Sequence, residues 1–320
     1  MIRFISRRLL ISIPVLLGIT LVAFTALSLA PGDPILARID PSILAQQSPE
    51  WIEQQRHELG LDQPVLVRYA KWLMGVVKGD LGFSIVTRRS IADELAFRLP
   101  ATLQLMGAAL LISLLLGIPF GVIAAVKQYS KLDYAMTTFT ITMISTPTFF
   151  LGMLAIYVFG VLLHLFPTSG AFTLGSPPSF LDRLSHLVLP AGILGLANAA
   201  QLMRYTRASM LETLQKEYII VARAKGLRES TIVLRHALRN ALIPVITVIG
   251  FLLPELLAGA IVTEQIFAWP GMGFMAVRAA ADRDPSLLMG VVLVVGTGVL
   301  LANLLADITY AIVNPRIRYS

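Results

Sequence analysis

Long uncharged runs alternate with short charged segments along this chain, and the runs have the length of a bilayer crossing. Leu9–Ala30 carries no charge over 22 residues, and at ~1.5 Å per residue a helix of that length crosses the hydrocarbon core. Further uncharged runs cover Leu99–Val126 and Tyr134–Leu181. The second of these is too long for one crossing and contains Pro167, Thr168, Ser169 and Gly170. It reads as a span over Tyr134–Leu163 followed by an external loop. Leu184–Met203, Asn240–Thr263 and Pro285–Val313 complete six predicted spans, the last two holding Glu255 and Asp307. Arg3, Arg7 and Arg8 before an apolar run also fit a cleaved signal peptide. The run exceeds the roughly 7–15 residues of an h-region, however, and no Ala-x-Ala site precedes Pro31, so a retained span is the expectation.

The polar segments carry their own patterns. Residues 31–98 form a polar-to-amphipathic insert between the first two spans. Ser48-Pro49-Glu50 predicts a helix start that runs to about Gly60, and Pro64 opens another. In the second helix Val65, Leu66, Tyr69, Trp72, Leu73 and Val76 recur with helical period until Gly79. Such a stripe suits either a buttress on the bundle or a docking surface for an external partner. Between the fourth and fifth spans lies Arg204–Asn240. Met210–Lys225 is predicted helical, Gly226 supplies a left-handed turn, and Ser230 is placed as N-cap of a short helix Thr231–Leu238. Apolar Ile219, Ile220, Ala222 and Leu227 stand beside Arg223, Lys225 and Arg228. This hairpin fits a groove on a soluble partner, or equally an anchor at the lipid headgroups.

Composition sharpens the picture. Of 320 residues 56% are hydrophobic and 14% charged, against about 25% charged in an ordinary soluble domain. A disordered chain is excluded and a soluble enzyme is not expected. The net charge of +7 is unevenly placed. With both termini inside, segments 1–8, 127–133, 204–240 and 314–320 hold 15 Lys and Arg against four acids, and the outer segments hold 11 against 13. The basic excess therefore follows the positive-inside rule and requires no nucleic acid. With no cysteine, disulfides, thiolate metal sites and cysteine nucleophiles are excluded. His57, His164, His186 and His236 are scattered without metal-ligand spacing. No G-x-x-x-x-G-K-[ST], H-E-x-x-H or G-x-S-x-G occurs, so the chain carries no phosphate-cradling loop of its own.

A carboxylate in hydrocarbon is costly, so Glu255 must face a cavity or a partner. It reads either as a group on the substrate path, attracting an amino group, or as an interface carboxylate paired with a neighbouring segment. Asp307, near the inner end of its span, reads as the partner of an inner-face arginine. Asn198, Gln201 and Met203 in the fourth span, with Ser145, Thr146 and Thr148 around Pro147 in the third, either line a path or bond between helices. Glu264 and the turn Trp269-Pro270-Gly271-Met272-Gly273 fall on the outer face, where aromatic residues serve as interface anchors.

The segment EYIIVARAKGLRESTIVLRHALRNALIP resembles the cytoplasmic loop of B-type permease subunits of the dipeptide/oligopeptide/nickel ABC importer family. The same family is matched, in order, by RRLL…PVLLGIT…PGDP, LGLDQP, GDLGFS, RLPATLQL, LAGAIVTEQIFAWPGMG and VNPRIRYS. The resemblance spans essentially the whole chain. Against the general loop pattern Glu-Ala-Ala-x-x-x-Gly, Ala222 and Gly226 are kept. Ile220 and Val221 replace Glu-Ala, and His236, Leu238 and Arg239 stand near the later Ile-x-Leu-Pro places.

The resemblance implies an all-α polytopic protein of the type I importer permease fold. Residues 1–98 would be a span plus periplasmic insert, and 99–320 a five-span core in a bacterial inner membrane, both termini cytoplasmic. It implies an ATPase-coupling role for Glu217, Tyr218, Ala222, Arg223, Ala224, Lys225, Gly226, Leu227, His236 and Arg239. An external gate would be built from Glu264, Trp269, Pro270 and Gly271, and the substrate-path candidates are Glu255, Gln201, Asn198 and Ser145. The implied partners are a homologous C-type permease, two cytoplasmic ABC ATPases that carry the ATP and Mg, and a periplasmic or lipid-anchored solute-binding protein. This chain itself would be non-catalytic and hold no cofactor. The implied cargo is a peptide, with glutathione, a nickel chelate or another conjugate as alternatives, and a passive channel or sensor as the rival class.

Overall fold

The computed structural model describes residues 2–30, 49–58, 62–177 and 179–313. Its centre is a pair of long helices, α4 (Ile91–Val126) and α7 (Phe180–Leu214). (The preceding α1 is Ile2–Leu29, α2 Pro49–Glu58 and α3 Val65–Val77; α5 is Lys131–Ser145 and α6 Thr148–Leu162.) Serine caps open both central helices: Ser90 accepts from Asp93 N and Ser179 from Asp182 N. The two run parallel, because their contacts advance in step. Arg183 Nε donates to Gln104 Oε1 at 2.9 Å, Ser113 Oγ to the Gly195 carbonyl at 3.0 Å, and Gly121 lies against Thr206. Small residues make this approach possible, as bundles in lipid require. A Cβ on Gly121 would stand 2.6 Å from Thr206 Cβ, and one on Gly195 2.8 Å from Ile112 Cβ.

The remaining spans are antiparallel neighbours. Helix α9 (Glu229–Ile266) runs back along α7, with Ser209 Oγ donating to the Ala241 carbonyl at one end and Leu194 against Gly259 further along. Helix α11 (Pro285–Val313) returns beside α9 through Gly250 on Ala306 and Leu257 on Gly298. Helix α1 lies outermost, with Leu16 and Ile19 on Gly296 and an Arg8–Asp307 ion pair at 3.0 Å. That pair is the inner-face arginine contact expected for Asp307. The N-terminal end of α1, the C-terminal end of α11 and the 214–229 segment therefore share one face of the bundle.

Parallel α4 and α7 oblige the chain between them to cross back once. It does not do so as the single helix expected over Tyr134–Leu163. Helix α5 climbs beside α7, and the chain then bends by 105° into α6. Pro147 is the cause. It has no N–H to continue the ladder, and it pushes Thr146 to extended dihedrals (φ −95°, ψ 126°). The bent arm lies across the opposite, outer end: Gly152 packs on Ile266 and Phe267, and Ala155 clusters with Leu189 and Phe267. The arm finishes in π-helical geometry over Ile156–Leu162.

Helix α7 also runs well past the predicted end at Met203. Thr206, Met210 and Thr213 are buried there, and Arg207 holds buried Asp133 with two bonds of 2.7 and 2.8 Å. The polar sequence thus packs against α5 instead of leaving the bundle. The insert helix α3 begins after Pro64 and stops before Gly79 (φ 81°), as its sequence indicates. Ser48 and Gly60 lie outside the described residues. Tyr69 anchors α3 on α1, its hydroxyl bonding the Leu17 carbonyl at 3.1 Å and Thr20 Oγ1 at 3.0 Å, with Phe24 and Trp72 stacked around it. The insert is also tied to the core. Buried Asp284 caps α11 by accepting from Leu287 N and also accepts from Ser84 Oγ (2.6 Å) and Ile85 N (2.9 Å). The division drawn at 98/99 falls inside continuous α4.

Overfilling the α4–α7 seam should destabilise the bundle by about 1–3 kcal/mol per site. Gly121→Val and Gly195→Val are expected to lower the thermal unfolding midpoint in detergent. Gly107→Val, whose Cβ would meet nothing within 4 Å, should leave it in place.

Candidate functional site

At the end of the bundle that carries the 214–229 segment, Met210–Lys225 is not the continuous helix its sequence suggests. Helix α7 ends at Leu214, and after Gln215 and Lys216 the short helix α8 (Glu217–Ala224) begins. Gly226 then takes the left-handed conformation (φ 75°) expected of it. Ser230 is not a cap. Arg228 precedes the helix with extended dihedrals (φ −62°, ψ 137°), and Ser230 lies in the first turn. The predicted short helix Thr231–Leu238 is in fact the opening of α9, reached through a π-helical stretch Ile232–Ala237. It does not stop because Ile232, Val233 and Ala237 are buried, which carries one apolar stripe from the loop into the span.

The two faces of α8 have different occupants. Ile219 and Ala222 point into a cluster with Val122 and Ala125 of α4, Met210 of α7, and Ile232 and Val233 of α9. Tyr218, Ile220, Val221 and Leu227 are exposed, together with Glu217, Arg223, Ala224, Lys225 and Gly226. The apolar set read as one docking face is thus split: Ala222 and Ile219 are anchors, whereas Ile220 and Leu227 look outward. Arg223 donates to Glu229 at 2.8 Å, and this bond and the carboxylate's charge hold its guanidinium above the usual range. His236 is half-buried and Arg239 exposed.

At the opposite end of the bundle, the residues expected to form a gate lie close together. Glu264 is fully buried and accepts from Thr102 Oγ1 (2.6 Å), Gly273 N (2.7 Å) and Phe274 N (3.0 Å). The two amides open helix α10 (Met272–Ala281). A carboxylate there satisfies helix-end donors and opposes the positive end of the dipole. Thr102 Oγ1 in turn accepts from Met272 N at 2.8 Å. Gly271 is pressed against the Glu264 carboxylate, where a side chain would collide. Trp269 is not an interfacial anchor but fully buried. Its Nε1 donates to the Ala101 carbonyl at 2.9 Å, and the Arg183 guanidinium lies 4.8 Å over its ring. Pro270 is half-buried beside it. Sequence reading singled out none of Thr102, Gln104 and Arg183 as site residues, although RLPATLQL, which holds the first two, was among the matching segments.

The substrate-path candidates do not all meet. Asn198 is buried and donates to the Leu194 carbonyl of its own helix at 2.7 Å, so it faces the α7 interior. Gln201 is half-buried on the side of α7 away from α4. Glu255 is exposed on the adjoining side of α9, and Ser145 is exposed at the bend after α5. Among the described residues no group of three or more His, Cys, Asp or Glu could hold a metal ion.

A bundle of membrane-length helices, with a short amphipathic helix on one face and a buried polar knot on the other, is a multi-pass membrane architecture. The family described as "Binding-protein-dependent transport system inner membrane component" matches residues 117–319, and its N-terminal counterpart matches residues 1–106. The chain belongs to this family: it is a multi-pass permease subunit that works with other ABC subunits. It is 44% identical over 317 residues, 99% of each chain, to the oligopeptide transport system permease protein AppB of Bacillus subtilis (strain 168). It is 41% identical, over 100% of this chain and 99% of the relative, to the dipeptide transport system permease protein DppB of Escherichia coli (strain K12). Among solved structures, a chain of the MetNI methionine ABC transporter in inward-facing conformations matches with a TM-score of 0.57 at 18% identity. That match covers 70% of this chain and 97% of the other, and it shows a shared fold.

Removing the Thr102 hydroxyl leaves Glu264 and Met272 N short of a partner in a buried place. Thr102→Val and Glu264→Ala are each expected to cost about 1–3 kcal/mol of stability. Because they share one bond, the double variant should cost less than the sum in a thermal-unfolding double-mutant cycle.

Proposed function

We propose that this chain is half of the translocation pathway of an ATP-driven, binding-protein-dependent importer of peptides, with both termini and α8 in the cytoplasm. The exposed apolar face of α8, set among basic residues on the loop-bearing face, is the observation that carries the reading. The excess of 15 Lys and Arg over four acids on the segments of that face supports its cytoplasmic side. The names of the oligopeptide and dipeptide relatives support a peptide cargo. Glutathione or a metal chelate would use the same machinery.

In this mechanism ATP and Mg bind to two separate ATPases, which hydrolyse the nucleotide. Tyr218, Ile220, Val221 and Leu227 enter a groove on one ATPase, while Ile219 and Ala222 lock α8 to α4, α7 and α9. Closure of the ATPases therefore moves three helices together. The same three helices bear the outer knot around Glu264 and Trp269, so the displacement reaches the side on which a solute-binding protein would deliver cargo. Such a bundle must have two states that bind ATPase and cargo differently. A homologous C-type permease completes the pathway. A passive channel would need no docking helix.

In lipid nanodiscs, the co-purified complex should hydrolyse ATP faster when a peptide-loaded binding protein is added. Stimulation only by a loaded metal chelate would move the cargo, and failure to recover any ATPase would return the channel reading. Ile220→Ser/Val221→Ser is expected to reduce the recovered ATPase about tenfold, equivalent to ~1.4 kcal/mol, without shifting the unfolding midpoint. Ile219→Ala should instead lower stability by about 2–5 kcal/mol.

A further inference from the structure

The side of the α7–α9 pair turned away from α4 and α11 is open along much of its length. On α9 the exposed positions Pro244, Phe251, Glu255, Ala258 and Val262 form one stripe, opposite the buried positions that meet α7, α4 and α11. On α7, half-buried Gln201 and exposed Arg204 lie on the adjoining stripe, between the contacts to α9 and those to α5. The two stripes border a single groove. The arm α6 crosses its outer end, touching Ile266 and Phe267 on one wall and Leu189 on the other. Glu255 makes no hydrogen bond or ion pair among the described residues, and Arg204 is satisfied only by lying 5.3 Å over the Tyr205 ring beside it.

Glu255 within its span and Arg204 at the inner end of the groove, neither with an ionic partner among the described residues, are complementary to a charged occupant. Their spacing indicates its shape. With Ser209 opposite Ala241 and Leu194 opposite Gly259, Arg204 lies about two turns inward of Glu255, roughly 10 Å along the axis at ~1.5 Å per residue. Side chains of this length close that gap to the separation between the termini of a short peptide, and the Gln201 amide sits between them.

We propose that Glu255 and Arg204 form a polarity-matched pair that orients a short zwitterionic peptide in transit, Glu255 taking its ammonium and Arg204 its carboxylate, with Gln201 meeting the backbone between. This rests on the peptide-importer reading above and deepens it. It gives the permease a share in selecting cargo, because a peptide blocked at either end leaves one wall charge unpaired. The groove enters the cytoplasmic half through Arg204, so the carboxylate end leads.

The test uses the whole complex, with its own ATPases and binding protein, in liposomes and with trialanine as the probe. The readout is trialanine moved per ATP hydrolysed. Glu255→Gln and Arg204→Gln should each lower this ratio about tenfold, and Glu255→Asp should restore most of it. An unchanged ratio in Glu255→Gln overturns the proposal. So does loss of ATPase subunits from the purified Glu255→Gln complex, which would assign the carboxylate to a subunit contact. If the wild-type complex hydrolyses ATP but moves no trialanine, the peptide reading itself fails and the pair falls with it.

Discussion

Close parallel packing of α4 on α7 is the constraint from which the architecture follows. Two parallel neighbours cannot be joined by a loop; the chain must cross the bundle between them. That requirement gives α5 and the bent arm α6 their place, and it puts the 127–130 turn and the 163–179 segment on opposite faces. The contact itself depends on the absence of side chains at Gly117, Gly121 and Gly195. Without a hydrophobic drive between helices in lipid, this steric fit and the Ser113 bond to the Gly195 carbonyl hold the centre. Everything else packs on that pair: α9 antiparallel beside α7, α11 beside α9, and α1 at the rim.

The same pair joins the two ends of the bundle. At the inner end, α4, α7 and α9 each contribute to the pocket of apolar side chains that grips Ile219 and Ala222. At the other end, α4 supplies Thr102 and the Ala101 carbonyl, α7 supplies Arg183, and α9 supplies Glu264, with Trp269 in the turn that follows it. Packed helices transmit displacement because their contacts have discrete arrangements and little give. The buried Asp133–Arg207 pair adds α5 to this unit. Breaking it would strand a charge in the bundle, a cost well above that of an exposed pair. By contrast, among the described residues α1 packs mainly on α11 and α3, which suits a peripheral anchor.

Much of the fold was legible because spans and caps are local signals. The apolar runs located the spans, Pro64 and Gly79 bounded α3, and Gly226 marked the turn after α8. The departures have a common physical source: hydropathy reports composition, not direction or partners. Tyr134–Leu163 is uncharged throughout, so hydropathy alone did not show that Pro147 turns the chain by 105°. Residues 204–214 look like loop because they are polar, yet Arg207, Met210 and Thr213 find partners inside. The site was legible to the same extent. Glu264, Trp269 and Gly271 stood out as a motif, but their partner Thr102 lies 162 residues away in RLPATLQL, a segment whose sequence does not say what it meets. For α8 the residue types were visible and the facing was not, since eight residues are too few to assign a buried stripe by periodicity. Asp284, which caps α11 and also holds Ser84 of the insert, was not singled out in the sequence.

The central claim is that the outward face of α8 meets an ATPase. The chain has no cysteine, so single cysteines report contacts without background. Val221→Cys on α8 and Phe83→Cys on the opposite face, both exposed, can each be treated with a short bifunctional cross-linker in membranes that co-express the ATPases. The account predicts an ATPase adduct from Val221→Cys and none from Phe83→Cys. No adduct from Val221→Cys in a complex that still hydrolyses ATP, or an adduct from Phe83→Cys, would contradict it.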